Sequence, residues 1–285
     1  NQFTLVGNIV QNLEPVSFAS VGWGDYDGDG DIDLAVMGTG DGMRLADIYR
    51  NDDGNFQRDV AQTLIGMDNG KLSWADYDND GDLDLAALGQ VSNAPESRTI
   101  LYLNDPVGTL REDTRSTLPG LRAGALAWGD LENDGDLDLA GRSTNVPIWY
   151  LKNENNSLAT FGPMNPTLPV TKTGFGVSIV DFNQDGKMDL LHTRSDRSVF
   201  KGDGRGHYRA VKEMPSFQGP LVKVADIDGD GTADVIWQDK YDGNPDEDGR
   251  VEALYNWDGT DGGFDRDWVR EGALPAEYGW LLRGS

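Results

Sequence analysis

Acidic side chains recur at alternating positions in five short loops of this 285-residue chain. The first loop, DYDGDGDID (25–33), places Asp at positions 1, 3, 5 and 9 and Gly30 at position 6. Alternating acids on a tightly turned loop direct their oxygens toward one centre. Hard oxygen ligands at this density suit Ca²⁺, which takes about six to eight of them. Each loop therefore predicts one calcium site.

The predicted ligands occupy loop positions 1, 3, 5, 7 and 9, and position 7 acts through its backbone carbonyl. They are Asp25, Asp27, Asp29, Asp31 and Asp33; Asp76, Asp78, Asp80, Asp82 and Asp84; Asp130, Glu132, Asp134, Asp136 and Asp138; Asp181, Asn183, Asp185, Lys187 and Asp189; and Asp226, Asp228, Asp230, Thr232 and Asp234. We expect about five Ca²⁺ ions. The fourth site should be among the weakest, because Asn183 and Lys187 replace acids there.

Other metals and other loop types fit this pattern less well. An EF-hand needs Glu at position 12 and flanking helices, but position 12 of the first copy is Val36 and the flanks have the composition of strands. Zinc and redox metals are poor fits, because the chain has no Cys and only two His.

The charge of the chain limits its partners. With 24 Lys plus Arg against 49 Asp plus Glu, the formal net charge is −25. We expect no nucleic-acid partner, because neutralising phosphates needs a basic face and this chain is strongly acidic. Hydrophobic residues make up 38% of the chain, which is enough for a packed core. No apolar run approaches the roughly 20 residues of a membrane helix, so no membrane insertion is expected.

Short strands must position the acidic loops. Segments of about five residues rich in Val, Leu, Ile and Trp precede and follow each loop, which is typical of a strand pair. A second signature follows downstream, as in DIYRNDDGNFQ (47–57), where an aromatic-bearing strand enters an Asn/Asp/Gly turn and another strand. Each repeat thus predicts four antiparallel strands, the unit of a propeller blade, and the fold class is an all-β β-propeller.

The repeats define the predicted domain organisation of one β-propeller over residues 1–285. Five complete repeats cover approximately 14–64, 65–118, 119–169, 170–215 and 216–274. Residues 1–13 resemble a last strand and 275–285 a first strand, so they would form a shared, partial sixth blade that closes the ring. The alternative is that the chain is a fragment of a seven-bladed propeller.

These repeats resemble the FG-GAP or VCBS repeats of integrin α-subunit propellers and of many secreted proteins. The resemblance rests on the DxDxDGxxD core of the five loops and covers nearly the whole chain. It implies that the loops bind Ca²⁺ structurally, that the fold is a β-propeller and that the protein is extracellular or on the cell surface. It implies no particular ligand and no catalysis.

No catalytic constellation is apparent in the sequence, so we expect that the protein is not an enzyme. The two histidines, His192 and His207, lie in the fourth repeat outside any nucleophile motif. Acids are too numerous for the sequence to identify a glycosidase pair. Asn155, in Asn155-Asn156-Ser157, is a possible glycosylation site.

Three functions remain open. The first is a secreted, calcium-stabilised module that binds glycans or a protein ligand, as in cell adhesion. The second is a structural subunit of an extracellular fibre, sheath or surface layer, in which self-assembly completes strand edges. The third is an accessory domain of a larger secreted enzyme or toxin.

Overall fold

The computed structural model describes residues 13–91, 97–116, 118–121, 124–143, 146–154, 158–163, 176–193, 198–213, 222–225, 233–238, 251–257 and 264–265. Within these ranges the regular structure is entirely β-strand, in twenty strands numbered β1 to β20. None of these residues belongs to a helix that could cross a membrane.

The strands form five four-stranded sheets, each made of consecutive strands in sequence order. The first sheet contains β1 (Ser17–Gly24), β2 (Asp33–Gly40), β3 (Met43–Asp52) and β4 (Asn55–Arg58). The second contains β5 (Met67–Ala75), β6 (Asp84–Val91), β7 (Ser97–Asn104) and β8 (Leu110–Glu112). The third contains β9 (Ala125–Gly129), β10 (Asp138–Ser143), β11 (Val146–Asn153) and β12 (Leu158–Pro163).

The remaining two sheets repeat this order. The fourth contains β13 (Gly176–Val180), β14 (Asp189–Thr193), β15 (Ser198–Gly202) and β16 (Tyr208–Glu213). The fifth contains β17 (Val222–Ala225), β18 (Asp234–Gln238), β19 (Val251–Trp257) and β20 (Phe264–Asp265). Neighbouring strands are antiparallel in the first, second, fourth and fifth sheets. The predicted all-β fold of four-stranded propeller blades is therefore confirmed.

Two parts of the domain prediction lie beyond these observations. Residues 1–12 and 275–285, which the partial sixth blade requires, lie outside the described residues. The chain divides into two compact units, one of Asn1–Trp128, Asp136–Thr144 and Trp149–Gly162 and the other of Gly129–Gly135, Asn145–Ile148 and Pro163–Ser285. The boundaries drawn from the repeats stay a prediction.

The second strand of each of the first two sheets is buried along nearly its whole length. Met37 on β2 and Leu85 on β6 are fully buried in one hydrophobic cluster. Both strands therefore bury apolar side chains on both faces, which explains why their sequences are nearly continuous runs of apolar and small residues.

Aromatic pairs join successive sheets in the first unit. Tyr26, in the first acidic loop, stacks on Trp74 of β5 at a centroid distance of 6.3 Å and an interplanar angle of 27°. Tyr77, in the second acidic loop, lies 6.0 Å from Trp128 of β9. Aromatic pairs at this spacing add to the free energy of apolar burial. The packing of one blade on the next thus depends on residues inside the acidic loops.

Candidate metal centre

Each described acidic loop joins the first and second strands of its sheet by means of two left-handed residues. Position 6 is Gly30, Gly81, Gly135 or Gly186, and its φ lies between 79° and 97°. Position 4 is Gly28, Asn79, Asn133 or Gln184, and its φ lies between 55° and 74°. Glycine adopts this conformation without a steric penalty, and Asn tolerates it better than most residues. The loop can therefore reverse direction within a few residues.

The acid at position 1 closes this turn. Its Oδ2 accepts a hydrogen bond from the backbone N–H of the position-6 glycine in all four described loops. The Asp acceptors and N···O distances are Asp25 at 3.0 Å, Asp76 at 3.2 Å, Asp130 at 3.0 Å and Asp181 at 2.8 Å. The first predicted ligand therefore also holds the loop backbone in its turned conformation.

The acid at position 9 anchors the loop to the interior of the blade. Asp33, Asp84, Asp138 and Asp189 are at most 1% exposed. In the first loop, Asp33 accepts hydrogen bonds from Tyr26 N at 2.9 Å and from Asn51 N, on β3, at 2.8 Å. Asp84 and Asp189 have the same two kinds of donor. A carboxylate at position 9 therefore joins its loop to the third strand.

Carboxylates converge in the first and second loops. One oxygen from each of Asp25, Asp27 and Asp33 lies within 4.8 Å of the other two. The same holds for the equivalent second-loop set, Asp76, Asp78 and Asp84. These two sets are the convergent acidic clusters found among the described residues, and they combine predicted positions 1, 3 and 9.

The other predicted ligands have different surroundings. The acid at position 5 accepts a hydrogen bond through its Oδ1 from the backbone N–H of position 7. Asp29 accepts from Asp31 N at 2.9 Å, and Asp80 accepts from Asp82 N at 3.2 Å. In the third repeat, Asp130 accepts from Asp134 N at 3.1 Å. The fifth-loop residues 226–232 and the possible glycosylation site Asn155 lie outside the described residues.

Crowding and burial shift the titration of these acids. Burial, reinforced by the charges of Asp80 and Asp76, raises the pKa of Asp78. Burial raises the pKa of Asp84 to about 6 despite hydrogen bonds from Asn104 and Tyr77. Burial and the neighbouring Asp80 raise the pKa of Asp82 to about 7. The second loop therefore resists full ionisation unless a positive charge joins it.

The first loop has a positive neighbour. Arg50 Nε lies 3.5 Å from Asp27 Oδ2 and 3.8 Å from Asp52 Oδ1. Burial and the charge of Asp29 nevertheless raise the pKa of Asp27, although Arg50 opposes this shift. Asp27 Oδ1 and, in the second loop, Asp78 Oδ1 are both buried without a hydrogen-bond partner. The two position-3 acids therefore each keep one buried oxygen available.

An asparagine at the end of the third strand connects successive loops. Fully buried Asn104 donates its backbone N–H to Asp84 at 2.9 Å. Its side-chain amide donates to Leu83 O in the same loop at 3.1 Å and to Tyr26 O in the preceding loop at 2.6 Å. Asn153 makes the equivalent contacts in the third sheet. Its backbone N–H donates to Asp138, and its side-chain amide donates to Tyr77 O at 2.8 Å. This role was missed from the sequence, although the recurrence of Asn51, Asn104 and Asn153 near the end of the third strand was a detectable signal.

Comparison with protein families identifies the repeats. Residues 25–87 and 134–192 match the model described as an FG-GAP-like repeat. The sequence-based resemblance to this family is thereby confirmed. No curated protein matches this chain.

A solved structure is also similar to the chain. It is the structure of a GH43 glycoside hydrolase whose active site was engineered to give both endo-xylanase and exo-arabinofuranosidase activity. The sequence identity is 12%, the TM-score is 0.42, and the match covers 86% of this chain. The chain spans 50% of the length of that structure.

The expectation that this protein is not an enzyme is overturned by that match, because an enzyme is among the structures that the chain resembles. The expectation relied on the lack of a recognisable catalytic motif in the sequence. Catalytic side chains that converge only in the folded chain leave no such motif. At 12% identity and a TM-score of 0.42, the match assigns no reaction and no catalytic residue to this chain.

Replacing Asn104 with Ala tests the connection between loops. The change leaves Tyr26 O, Leu83 O and Thr109 N without their Asn104 partners. We expect the free energy of unfolding in urea to fall by about 2–4 kcal/mol, because each unpaired buried polar group is costly. The control Asn51→Ala removes solvent-exposed side-chain contacts to Ile32 O and Gly54 N and should cost about 1 kcal/mol or less. Equal losses in the two variants would contradict the connecting role of Asn104.

The raised pKa values of Asp82 and Asp84 predict an unusual pH dependence. A carboxyl whose pKa is raised by folding stabilises the fold below its unfolded pKa, and this contribution is lost as pH rises through the folded pKa. Chelator-treated protein should therefore melt at a higher temperature near about pH 5 than near about pH 8. Excess Ca²⁺ should reverse that order, because a bound cation favours the ionised acids. The same trend with and without Ca²⁺ in thermal scans would contradict this prediction.

Proposed function

Because this chain carries FG-GAP-like repeats, we propose that it is an extracellular recognition module whose propeller blades are stabilised by Ca²⁺ and which binds glycans or a protein ligand. The observation that carries the calcium part is the convergence of three carboxylates in each of the first two loops. The third and fifth loops carry the same acidic pattern in the sequence, which extends the proposal to their blades.

The residues present fit a calcium ion by their donor chemistry. Asp25, Asp27 and Asp33 supply hard carboxylate oxygens, the class of ligand that Ca²⁺ prefers. Asp27 Oδ1 and the equivalent Asp78 Oδ1 are buried without a hydrogen-bond partner, and a buried acceptor without a partner is unfavourable. A bound Ca²⁺ would supply the positive charge that these oxygens lack.

Calcium at these loops would stabilise the blade through its strands. Asp33 begins β2 and accepts a hydrogen bond from Asn51 on β3, while Asp25 follows β1. An ion held by Asp25 and Asp33 would therefore cross-link the strands that flank the loop. This cross-link supports a structural role for the metal. The loops, once ordered by the ion, would form a rigid surface.

The recognition part of the proposal concerns the surface around these loops. Ile32 in the first loop and Val107 in the β7–β8 turn are each 51% exposed. A β-carbon on Gly28 of the first loop would lie 3.6 Å from Val107, so the two segments are neighbours. Apolar side chains beside a calcium-ordered acidic loop would offer contact area to a sugar ring or a protein side chain.

Substituting Asp78 with Asn tests the calcium part. The variant keeps the shape of the side chain but removes one converging charge, so Ca²⁺ should raise its melting temperature less than that of the wild type. A ligand that binds only the folded state stabilises it by about 2.7 kcal/mol at a concentration 100 times its dissociation constant. Asp41→Asn, in an exposed turn where Asn tolerates the φ of 45°, is the matched control. A wild-type protein whose melting temperature is unchanged by Ca²⁺ and by chelator would refute calcium stabilisation.

A glycan array probed with calcium-loaded and chelated protein tests the recognition part, with light scattering on the same samples. We expect calcium-dependent binding to a defined sugar class by a monodisperse protein. Failure to bind any glycan would leave a protein ligand as the recognised class, to be sought by cross-linking to cell-surface proteins. Particles far larger than 31.1 kDa, with no ligand bound, would contradict the recognition module and favour self-assembly.

A further inference from the structure

The fourth acidic loop has surroundings unlike those of the first two. It contains three carboxylates, Asp181, Asp185 and Asp189, where each of the first two loops contains five. Position 3 is the neutral Asn183 and position 7 is Lys187. The fourth loop therefore has much less negative charge to neutralise.

Lys201 of β15 reaches this loop from the third strand of the same sheet. Its Nζ lies 3.0 Å from Asp185 Oδ2, and the two side chains are 29% and 27% exposed. The same oxygen accepts a hydrogen bond from Asn183 Nδ2 at 3.1 Å, and Asp185 Oδ1 accepts from Lys187 N at 3.1 Å. Both oxygens of the position-5 acid are thus occupied by donors from the protein.

The other acids of the fourth loop are also occupied. Asp181 accepts from Asp185 N at 3.1 Å and from Gly186 N at 2.8 Å. Asp189 accepts from Phe182 N at 3.2 Å and from Gly202 N at 2.9 Å. In the first two loops, by contrast, the position-3 acids each keep a buried oxygen without a partner.

The position of Lys201 recurs in the other sheets with different residues. Leu34, Leu85 and Leu190 pair with Tyr49, Tyr102 and Phe200, so Arg50, Leu103 and Lys201 are equivalent third-strand positions. In the second sheet the residue at this position is the apolar Leu103. In the first sheet Arg50 is shared between Asp27 and Asp52 at 3.5 and 3.8 Å. Lys201 makes the shorter contact, to a loop with fewer acids.

From these contacts we propose that the Lys201 ammonium group takes the place of a bound cation in the fourth loop. This blade then keeps its loop folded without calcium, while the first and second loops require the ion. The neutral Asn183 at position 3 and the Lys201 ammonium group together distinguish this loop from the first, where Arg50 faces a loop with five acids. The proposal rests on the proposed calcium function of the other loops.

Counting bound Ca²⁺ by native mass spectrometry tests the proposal on the full chain. Asp181→Asn should bind as many Ca²⁺ ions as the wild type, whereas the equivalent second-loop change Asp76→Asn should bind one fewer. The double variant Lys201→Leu/Asn183→Asp, which copies Leu103 and Asp78 of the second sheet, should bind one more ion than the wild type.

Loss of one Ca²⁺ in Asp181→Asn would overturn the proposal, because the natural fourth loop would then hold an ion. A double variant that gains no ion would also overturn it, because Lys201 would not be what replaces the cation. If Asp76→Asn binds as many ions as the wild type, the proposed calcium function of the second loop fails. The double variant still decides the role of Lys201 in that case, because its reference is the wild-type count.

Discussion

Repulsion between carboxylates on tightly turned loops is the constraint on which the rest of this structure depends. Asp25, Asp27 and Asp33 approach one another within 4.8 Å, as do their second-loop equivalents. Like charges at this distance destabilise a fold unless positive charge or protonation relieves them. The loop cannot spread apart, because Asp33 is buried and bonded to β3, and Asp25 is bonded to Gly30.

The same loops take part in the packing of one blade on the next in the first unit. Tyr26 and Tyr77 lie at loop position 2 and pack on tryptophans of the following sheets. The carbonyl of Tyr26 accepts the side-chain amide of Asn104, whose own N–H binds Asp84 in the next loop. Packed rings and a buried amide therefore connect neighbouring loops.

Much of this arrangement follows from local sequence. The short apolar segments and the Asn/Asp/Gly turns predict four-stranded blades. The DxDxDGxxD spacing predicts that the acids at positions 1, 3, 5 and 9 converge, and those at positions 1, 3 and 9 do so in the first two loops. The contacts of Asn104 and Lys201 could not be predicted in the same way. They depend on strand register and on which residue of the third strand faces the loop, and a one-residue shift would turn Lys201 away from Asp185. The same limit explains why the sequence could not exclude catalysis.

The central claim is that a cation relieves the repulsion in the first and second loops. X-ray diffraction from crystals grown with Ca²⁺, collected at a long wavelength, tests it most directly because anomalous scattering locates calcium without assuming its ligands. We expect one anomalous peak among the oxygens of Asp25, Asp27 and Asp33 and another among those of Asp76, Asp78 and Asp84. Crystals saturated with Ca²⁺ but lacking anomalous density at both clusters would contradict it.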